Sequence, residues 1–409
     1  MDKIVSVTGR EILNARGKPT VEATVITENG IKAIASVPSG TSRGKYEAHE
    51  LYDGGTRYRG YGTKKAAQNI STVINKAICG MDVTDQQGID QKMIDLDGTN
   101  NKEVLGGNTI LAVSVAVCRA AALSQGKELY HYIAPNHSKG LPDVIATVIA
   151  GGEFSTSGLE FEDYLLLLNG FDTFAQQVEA LADMRYRLEK LLVGKYGMFP
   201  EDGGALAPPL KSTAEAFECM LQVARESGYA ERVTLGLDVA ASELYNKETG
   251  CYKVCGREMD KHELIAYYVS LAKSFPLTYI EDPFDQDDFD SYTELKKKLG
   301  DEIQIVGDDL FVTNIERLKT GIEKNCANTL LLKMNQIGTV TETVEACALA
   351  EENGYDITVS LRSGETTDDF IADLAAALGT RQIKLGSPVR AERNVKYNRL
   401  LRIADDMHA

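Results

Sequence analysis

Six short apolar segments in the second half of the chain each end at or next to a charged residue. These residues follow one another at intervals of roughly 20 to 45 residues, enough for one strand and one helix per repeat. A βα unit at this period predicts a parallel barrel, whose active site lies at the carboxyl ends of its strands. The residues, three acids followed by three cations, are Asp238, Glu281, Asp308, Lys333, Arg362 and Lys384. The sequence therefore predicts one pocket that combines a hard-cation site with an anion site.

The length and charge of the chain limit its domain number and its partners. The chain has 409 residues and a formal net charge of −16. Two domains are expected at this length, and the acidic charge argues against nucleic acid or an anionic membrane as the main partner. No apolar run approaches the ~20 residues of a membrane span, and no signal peptide is recognisable, so a cytoplasmic location is expected. The seven scattered cysteines form no zinc motif, which is typical of reduced thiols.

The first third of the chain shows a different pattern. Alternating apolar and polar residues predict strands, and apolar residues at helical spacing predict helices. The predicted elements are strand regions 3–9 and 20–37, the latter with an Asn-Gly hairpin turn at 28–30, and helices 63–77 and 108–125. They predict an α+β domain over residues 1–138, with a turn-rich junction at 135–140 and a barrel domain over residues 139–409.

The three acids have only oxygen donors, which suit Mg²⁺ or Mn²⁺ better than zinc or copper. For any single acid, the alternative is an ion pair with a barrel lysine or a cap on the next helix. Three acids on successive strands, followed by anion-binding cations, favour the metal site over that alternative.

The cations have equally specific chemistry. Lys333 follows an apolar strand, and both burial and a neighbouring Lys384 would lower its pKa, so it is predicted to be a base for a proton beside a carboxylate. The alternative is an ion pair between Lys333 and Asp308. Arg362 offers a bidentate fork for phosphate or carboxylate, and its alternative is a surface or interdomain ion pair.

These residues stand in motifs of the enolase (phosphopyruvate hydratase) family, which the chain resembles from end to end. The matching motifs in the first domain are Glu11-Ile12, Arg16-Gly17, Pro19-Thr20-Val21-Glu22, Val37-Pro38-Ser39-Gly40 and Glu47-Ala48. Those in the second are Asp238-Val239-Ala240-Ala241-Ser242-Glu243, Ile280-Glu281-Asp282-Pro283-Phe284, Gly307-Asp308-Asp309-Leu310, Thr313-Asn314, Lys333, Asn335-Gln336-Ile337-Gly338, Arg362-Ser363-Gly364-Glu365-Thr366 and Ile383-Lys384.

The resemblance implies an N-terminal α+β domain, a modified (β/α)8 TIM-like barrel and a homodimer. It implies a lyase that dehydrates 2-phosphoglycerate, a small anionic phospho-carboxylate, with two Mg²⁺ ions, the second on substrate binding. The implied metal ligands are Asp238, Glu281, Asp308 and, for the second ion once its loop closes, Ser39. The other implied residues are the base Lys333, the carboxylate ligand Lys384, and the phosphate ligands Arg362 and Ser363.

Four active-site motifs depart from the family. The family's Gly-Gly-Ser-His, Gln-Glu-Phe, Asp-Glu-Gly-Gly and Ser-His-Arg-Ser read here as Gly151-Gly152-Glu153-Phe154, Glu162-Asp163-Tyr164, Glu201-Asp202-Gly203-Gly204 and Ser360-Leu361-Arg362-Ser363. Phe154 and Leu361 thus replace imidazoles, and Asp163 and Asp202 are shortened acids on the leaving-group side. Glu162 puts a carboxylate where the family has a substrate-side amide. An extra residue before Ala207-Pro208 leaves open whether Asp202 or Glu201 is the acid.

Three interpretations follow from this pattern. The first is dehydration of 2-phosphoglycerate with Asp202 and Asp163 as a shortened acid pair. The second is an enolase-like reaction on a related carboxylate with a different C3 substituent, since the metal and base side is intact and the leaving-group side is altered. The third is a non-catalytic paralogue kept for binding, although such a protein need not retain the metal ligands and both lysines together.

Overall fold

The computed structural model describes residues 1–41, 43–134, 140–152 and 155–408. Its N-terminal part is an antiparallel sheet of β1 (Ile4–Leu13), β2 (Pro19–Thr27) and β3 (Lys32–Ser36). Gly30, in the predicted hairpin turn, has a φ of +79°, which glycine adopts without strain. After a 3₁₀ turn at Arg57–Gly60, the helices of this part are Lys64–Asn69, a π turn Ile70–Ile74, Asn75–Ile78, Gln86–Asp97, Gly107–Ser124 and Leu129–Ile133. The predicted α+β architecture is confirmed.

The helix Gly107–Ser124 forms the centre of this domain, packed against β2 and β3. Its 18 residues are long and apolar enough to cross a membrane, contrary to the expectation from the sequence. However, 83% of the segment is buried inside the protein, as in the core helix of a folded domain. Its apolar character is therefore explained by packing.

The rest of the chain forms a closed eight-stranded barrel. Its strands are β4 (Asp143–Ala150), β5 (Asp163–Leu168), β6 (Val233–Asp238), β7 (Leu277–Glu281), β8 (Gln304–Gly307), β9 (Thr329–Leu332), β10 (Asp356–Ser360) and β11 (Gln382–Lys384). The barrel closes where β11 pairs in parallel with β4. Six fully or almost fully buried side chains form an apolar cluster on its strands: Ile145, Leu165, Leu167, Tyr279, Val306 and Leu331. The predicted barrel and the six predicted strands are confirmed.

One strand of the barrel runs in the opposite direction. β5 is antiparallel to both of its neighbours, so Asp163 pairs with Ala150, the last residue of β4, and with Asp238, the last residue of β6. The simple βα repeat does not predict this reversal. As a consequence, β5 presents its first residue, Asp163, at the end of the barrel where the other strands present their last.

Helices surround the barrel, and short elements follow some strands. The helices are Phe174–Tyr196, Thr213–Glu226, Ala241–Leu244, Lys261–Ser274, Phe289–Leu299, Ile315–Lys324, Met334–Ile337, Val340–Glu352, Phe370–Leu378 and Ala391–His408, with a 3₁₀ turn at Ala230–Arg232. The short strands are Glu201–Asp202, Ala205–Leu206, Tyr245–Asn246, Cys251–Val254 and Arg257–Met259.

The N-terminal domain covers the carboxyl end of the barrel. Ser39 and Gly364 exchange two backbone hydrogen bonds at 3.0 and 2.9 Å, and Lys102 is paired with Glu342 at 3.0 Å. The predicted domain boundary at 138/139 falls in 135–139, outside the described residues.

Candidate active site

The six charged residues predicted from the strand pattern do lie at one end of the barrel. Asp238, Glu281 and Lys384 are the last residues of β6, β7 and β11. Asp308 and Lys333 directly follow β8 and β9, and Arg362 comes two residues after β10. A cavity of about 100 Å³ opens between them. Its wall includes these predicted site residues: Lys333, Lys384, Arg362, Ser363, Asp238, Asp163, Glu162 and Asp202.

Lys384 is surrounded by carboxylates. Its Nζ donates to Asp238 Oδ2 at 2.7 Å and to both oxygens of Glu281 at 3.0 and 2.9 Å, and it lies 3.3 Å from Asp163 Oδ2. Burial opposes the charge of Lys384, but Asp238 and Glu281 outweigh it and raise its pKa well above the ordinary value. Lys384 is therefore a fixed ammonium group among three acids.

Lys333 is similarly tied to Asp308, in the ion pair that the sequence left as the alternative. Gln336 Nε2 also donates to Asp308, at 2.6 Å. The prediction that the pKa of Lys333 falls is wrong for this arrangement: burial does lower it, but the attraction of Asp308 is stronger and the net pKa is raised. In this arrangement Lys333 is therefore charged. It can act as a base only if its ion pair with Asp308 is weakened.

The anion side is built from the segment after β10 and a loop of the N-terminal domain. Arg362 Nη1 donates to Glu47 Oε2 at 2.9 Å, and both side chains are 5% exposed. Thr41 contacts the Ser363 hydroxyl through its backbone N–H at 3.1 Å and its own hydroxyl at 2.8 Å. The interdomain ion pair that the sequence left open for Arg362 is therefore present, directly beside the cavity.

Ser39 belongs to the same loop but lies behind the cavity wall. Its Oγ accepts a hydrogen bond from Asn14 Nδ2 at 2.6 Å, and the residue is 5% exposed. Glu281 and Asp308 also lie beneath the wall, covered by the two lysines that bind them. The structure therefore joins Asp238 and Glu281 through Lys384, whereas Asp308 binds Lys333 and Ser39 faces Asn14 on the N-terminal domain.

The wall that the family resemblance assigns to the leaving group distinguishes Asp202 from Glu201. Asp202 lies in the cavity wall and accepts from Arg16 Nη2 at 2.8 Å. Glu201 instead pairs with Arg185 and Arg390, each at 2.7 Å. Of the two candidates, only Asp202 faces the cavity.

The remaining substituted residues also line this wall. Asp163 accepts from the Thr147 hydroxyl at 3.0 Å. Burial, followed by repulsion from Asp238, raises the pKa of Glu162 well above its ordinary value. Leu361 adds an apolar face. Glu153 and Phe154 lie outside the described residues.

Three residues of the site were missed as functional from the sequence: Arg16, Thr41 and Glu47. Arg16 and Glu47 stand in family motifs, but no local pattern indicates that they contact Asp202 and Arg362. Both belong to the N-terminal domain, so their contacts depend on how the two domains pack.

The donor set fits a divalent cation. Several carboxyl groups lie at this end of the barrel, among them those of Asp238, Glu281 and Asp308. Burial and repulsion from Asp238 raise the pKa of Glu281 well above its ordinary value. A cation among these oxygens would relieve that repulsion, and oxygen-only ligands suit Mg²⁺.

A second acidic group is nearby but fits less well. Asp282, Asp308 and Asp309 have carboxylate oxygens within 4.8 Å of one another. The two oxygens of Asp282 accept the backbone N–H groups of Asp308 and Asp309 at 3.0 and 2.7 Å, and Tyr292 donates to the first of them at 3.0 Å. Burial, with repulsion from Asp308, raises the pKa of Asp282 to about 7. Asp282 therefore orients the turn at Asp308, and its oxygens are already used.

Comparison with known proteins agrees with this architecture. Residues 4–133 match the family model described as enolase, N-terminal domain, and residues 138–409 match enolase, C-terminal TIM barrel domain. A protein named Enolase from Methanopyrus kandleri is 47% identical over 100% of this chain and 96% of its own length. Proteins of that name from Pyrococcus furiosus and Thermococcus kodakarensis are 45% and 44% identical, each over 99% of this chain and 95% of their own length. The chain belongs to the enolase family and is a carbon–oxygen lyase.

Proposed function

We propose that this enzyme dehydrates 2-phosphoglycerate to phosphoenolpyruvate. The observation that carries the proposal is the cavity itself, where Lys333 and Lys384 face buried acids on one side and Arg362 with Ser363 forms an anion site on the other. A small phospho-carboxylate has its two anionic ends separated by the carbons that react, and this arrangement has cations at both places. The volume of about 100 Å³ suits a small substrate.

The proton at C2 is taken by Lys333. The electron pair of the C2–H bond moves toward the carboxylate, where Lys384 balances the added negative charge. Arg362 and Ser363 hold the phosphate and so contribute to substrate binding. Lys333 can accept this proton only when its amino group is uncharged. That state requires a weaker ion pair with Asp308 than the one described above.

The second half of the reaction is the loss of the C3 hydroxyl. The electron pair returns from the carboxylate to form the C2–C3 double bond, the C3–O bond breaks, and a carboxyl group supplies the proton that turns hydroxide into water. Asp202, in the cavity wall beside Arg16, is the proposed donor in its protonated form. Asp163 lies on the same wall, where it accepts a hydrogen bond from the Thr147 hydroxyl and lies 3.3 Å from Lys384 Nζ.

Asp238, Glu281 and Asp308 would hold Mg²⁺, with Ser39 as a ligand of a second ion only if its loop moves. Bound there, Mg²⁺ would neutralise the carboxylate charge that builds up and would weaken the hold of Asp308 on Lys333. We also propose that the enzyme is a cytoplasmic homodimer, as the family resemblance implies.

One observation favours a second candidate, in which the substrate carries a different C3 substituent. Leu361 makes part of the leaving-group wall apolar, Glu162 adds a carboxyl group, and Asp202 is engaged by Arg16. These three features share the wall on which the proposed scheme places C3, whereas Lys333 and Lys384, which would act at C2, match the family. A related carboxylate substrate would lose its C2 proton in the same way and would eliminate a different group from C3.

The test is incubation with 2-phosphoglycerate and Mg²⁺ in deuterated water, with C2 proton exchange and phosphoenolpyruvate formation followed together by NMR. Elimination at an enzymatic rate, lost in Lys333→Ala, supports the proposal. Exchange without elimination supports the second candidate. Neither exchange nor elimination would refute 2-phosphoglycerate as the substrate.

A further inference from the structure

The loop at 38–47 reaches from the N-terminal domain onto the segment that carries the proposed phosphate ligands. Among its described residues, 38–41 and 43–47, Ser39, Thr41 and Glu47 contact Gly364, Ser363 and Arg362 in turn. The described part of this loop therefore contacts both proposed phosphate ligands, Arg362 and Ser363, and the neighbouring Gly364. The placement of the anion side therefore depends on another domain.

Glu47 makes a buried side-chain contact with Arg362. Its Oε2 accepts from Arg362 Nη1 at 2.9 Å, and its Oε1 accepts the backbone N–H of Gly44, three residues earlier in the loop, at 3.1 Å. The neighbouring backbone N–H of Ala48 donates to the Gln336 carbonyl at 2.7 Å, and Gln336 binds Asp308. The backbone next to Glu47 is therefore bound to the barrel. One carboxylate oxygen of Glu47 binds its own loop, and the other binds Arg362.

The backbone around Arg362 and the loop leave little room for other arrangements. The Arg362 N–H donates to Glu365 Oε1 at 3.0 Å, which fixes the start of the side chain. A Cβ at Gly44 would lie 2.7 Å from Val312 and 2.9 Å from Asp309, so the loop packs directly on the barrel. An arginine has several rotatable bonds, and a carboxylate at a fixed place on one of its nitrogens selects one orientation.

We infer that Glu47 is a positioning residue that holds the Arg362 guanidinium in the orientation that receives the substrate phosphate, and so links the loop at 38–47 to substrate binding. The inference rests on the proposed function, because it takes the anion at Arg362 to be a phosphate. Glu47 does not touch the substrate in this scheme. Without Glu47, the Arg362 guanidinium is no longer held in one orientation. Arg362 binds a part of the substrate that is remote from the reacting carbon.

Loss of such binding raises KM and leaves kcat nearly unchanged, whereas a general loss of structure lowers the amount of active enzyme. We expect Glu47→Gln to raise KM for 2-phosphoglycerate about tenfold or more, with kcat within about threefold of the parent enzyme. Glu47→Asp, which withdraws the carboxylate by one methylene, should behave in the same way. In Arg362→Lys, the further change Glu47→Gln should have little added effect, because the two residues act as a unit.

The matched control is Glu342→Gln. Glu342 pairs with the buried Lys102 across the same two domains, at 3.0 Å, but away from the cavity. It should lower thermal stability without raising KM. A Glu47→Gln enzyme with parental KM, or with the same kinetic change as Glu342→Gln, would overturn the inference.

Calorimetric titration with inorganic phosphate separates this inference from the proposed function. If the parent enzyme fails to turn over 2-phosphoglycerate, the proposed function is refuted, and phosphate affinity then decides the role of Glu47. Phosphate binding that weakens in both Glu47→Gln and Arg362→Lys supports the inference. Phosphate binding that is absent in the parent, or equal in the parent and Glu47→Gln, overturns it. Hydrogen exchange of residues 43–48 provides a check if Glu47→Gln folds poorly: phosphate should slow exchange there in the parent, and no change would count against the link.

Discussion

Replacement of Lys384 by methionine should destabilise the barrel in a way that depends on pH. The side chain is 7% exposed, and its ammonium group contacts the buried carboxylates of Asp238 and Glu281 and the partly exposed carboxylate of Asp163. Methionine has a similar length and no charge, so Lys384→Met leaves Asp238, Glu281 and Asp163 facing one another without their cation. Removal of one partner from a buried ion pair costs about 3–5 kcal/mol in the free energy of unfolding. We expect a loss of that size at pH 8, measured without divalent cations.

The sign of the pH dependence follows from the protonation of the carboxyl groups. Lys384 has a raised pKa, so in the parent enzyme its contribution is fully present across pH 5–8 and is lost only as pH rises beyond the ordinary lysine range. Glu281 already has a raised pKa, and loss of the cation raises it further. The folded variant then binds protons that the unfolded chain releases, so its stability falls as pH rises from 5 to 8. The penalty relative to the parent should therefore be smaller at pH 5 than at pH 8.

Urea unfolding followed by circular dichroism at pH 5 and pH 8 measures both quantities. Lys396→Met is the matched control, because Lys396 is equally buried but binds one carboxylate, Glu365, and two backbone carbonyl groups. The control should lose stability with a weaker pH dependence. A penalty for Lys384→Met below about 1 kcal/mol, or one that is equal at both pH values, would refute the reasoning.

Three further predictions concern the metal and the leaving-group wall. Calorimetry should show a magnesium site in the parent that is lost in Asp308→Asn, and equal binding in both would remove Asp308 from the ligand set. Arg16→Gln should lower kcat about tenfold with little change in melting temperature, since a partly exposed ion pair contributes at most about 1 kcal/mol to stability; an unchanged kcat would show that Arg16 does not position Asp202. The double change Asp202→Glu and Asp163→Glu should raise the rate of dehydration if 2-phosphoglycerate is the substrate, whereas no gain in the coupled NMR assay would favour the altered C3 substituent.

The strand pattern predicted the barrel because each strand carries its own apolar core and its own terminal charge. That local pattern also placed Asp238, Glu281 and Lys384 at the same end, since parallel strands share a direction. It did not predict the direction of β5, because a run of apolar residues does not indicate whether the strand is parallel or antiparallel to its neighbours. Asp163 was assigned to the site through the family resemblance, and the reversed strand is the physical reason that it reaches the cavity.

Contacts between side chains on different elements could not be predicted from local patterns. The prediction of a lowered Lys333 pKa considered burial and Lys384, but the distance from Lys333 to Asp308 depends on how β8 and β9 end, and that contact reverses the shift. The choice between Asp202 and Glu201 likewise depended on two arginines that bind Glu201: Arg185, 16 residues earlier in the chain, and Arg390, 189 residues later. Such pairings become visible only when the backbone is in place.

The reversal of β5 has a consequence for how this site can diversify. In an ordinary barrel repeat, each loop at the reactive end leads into a helix, so a change in loop length must be absorbed by the outer layer. Here β4 and β5 form a hairpin, and the connection over residues 151–162 begins and ends on strands, with Gly151 and Glu162 already joined at 2.8 Å. Insertion or exchange within this connection leaves every helix in place. Two of the four altered motifs lie within or directly beside it, which makes this connection the natural segment to exchange when a new substrate preference is sought.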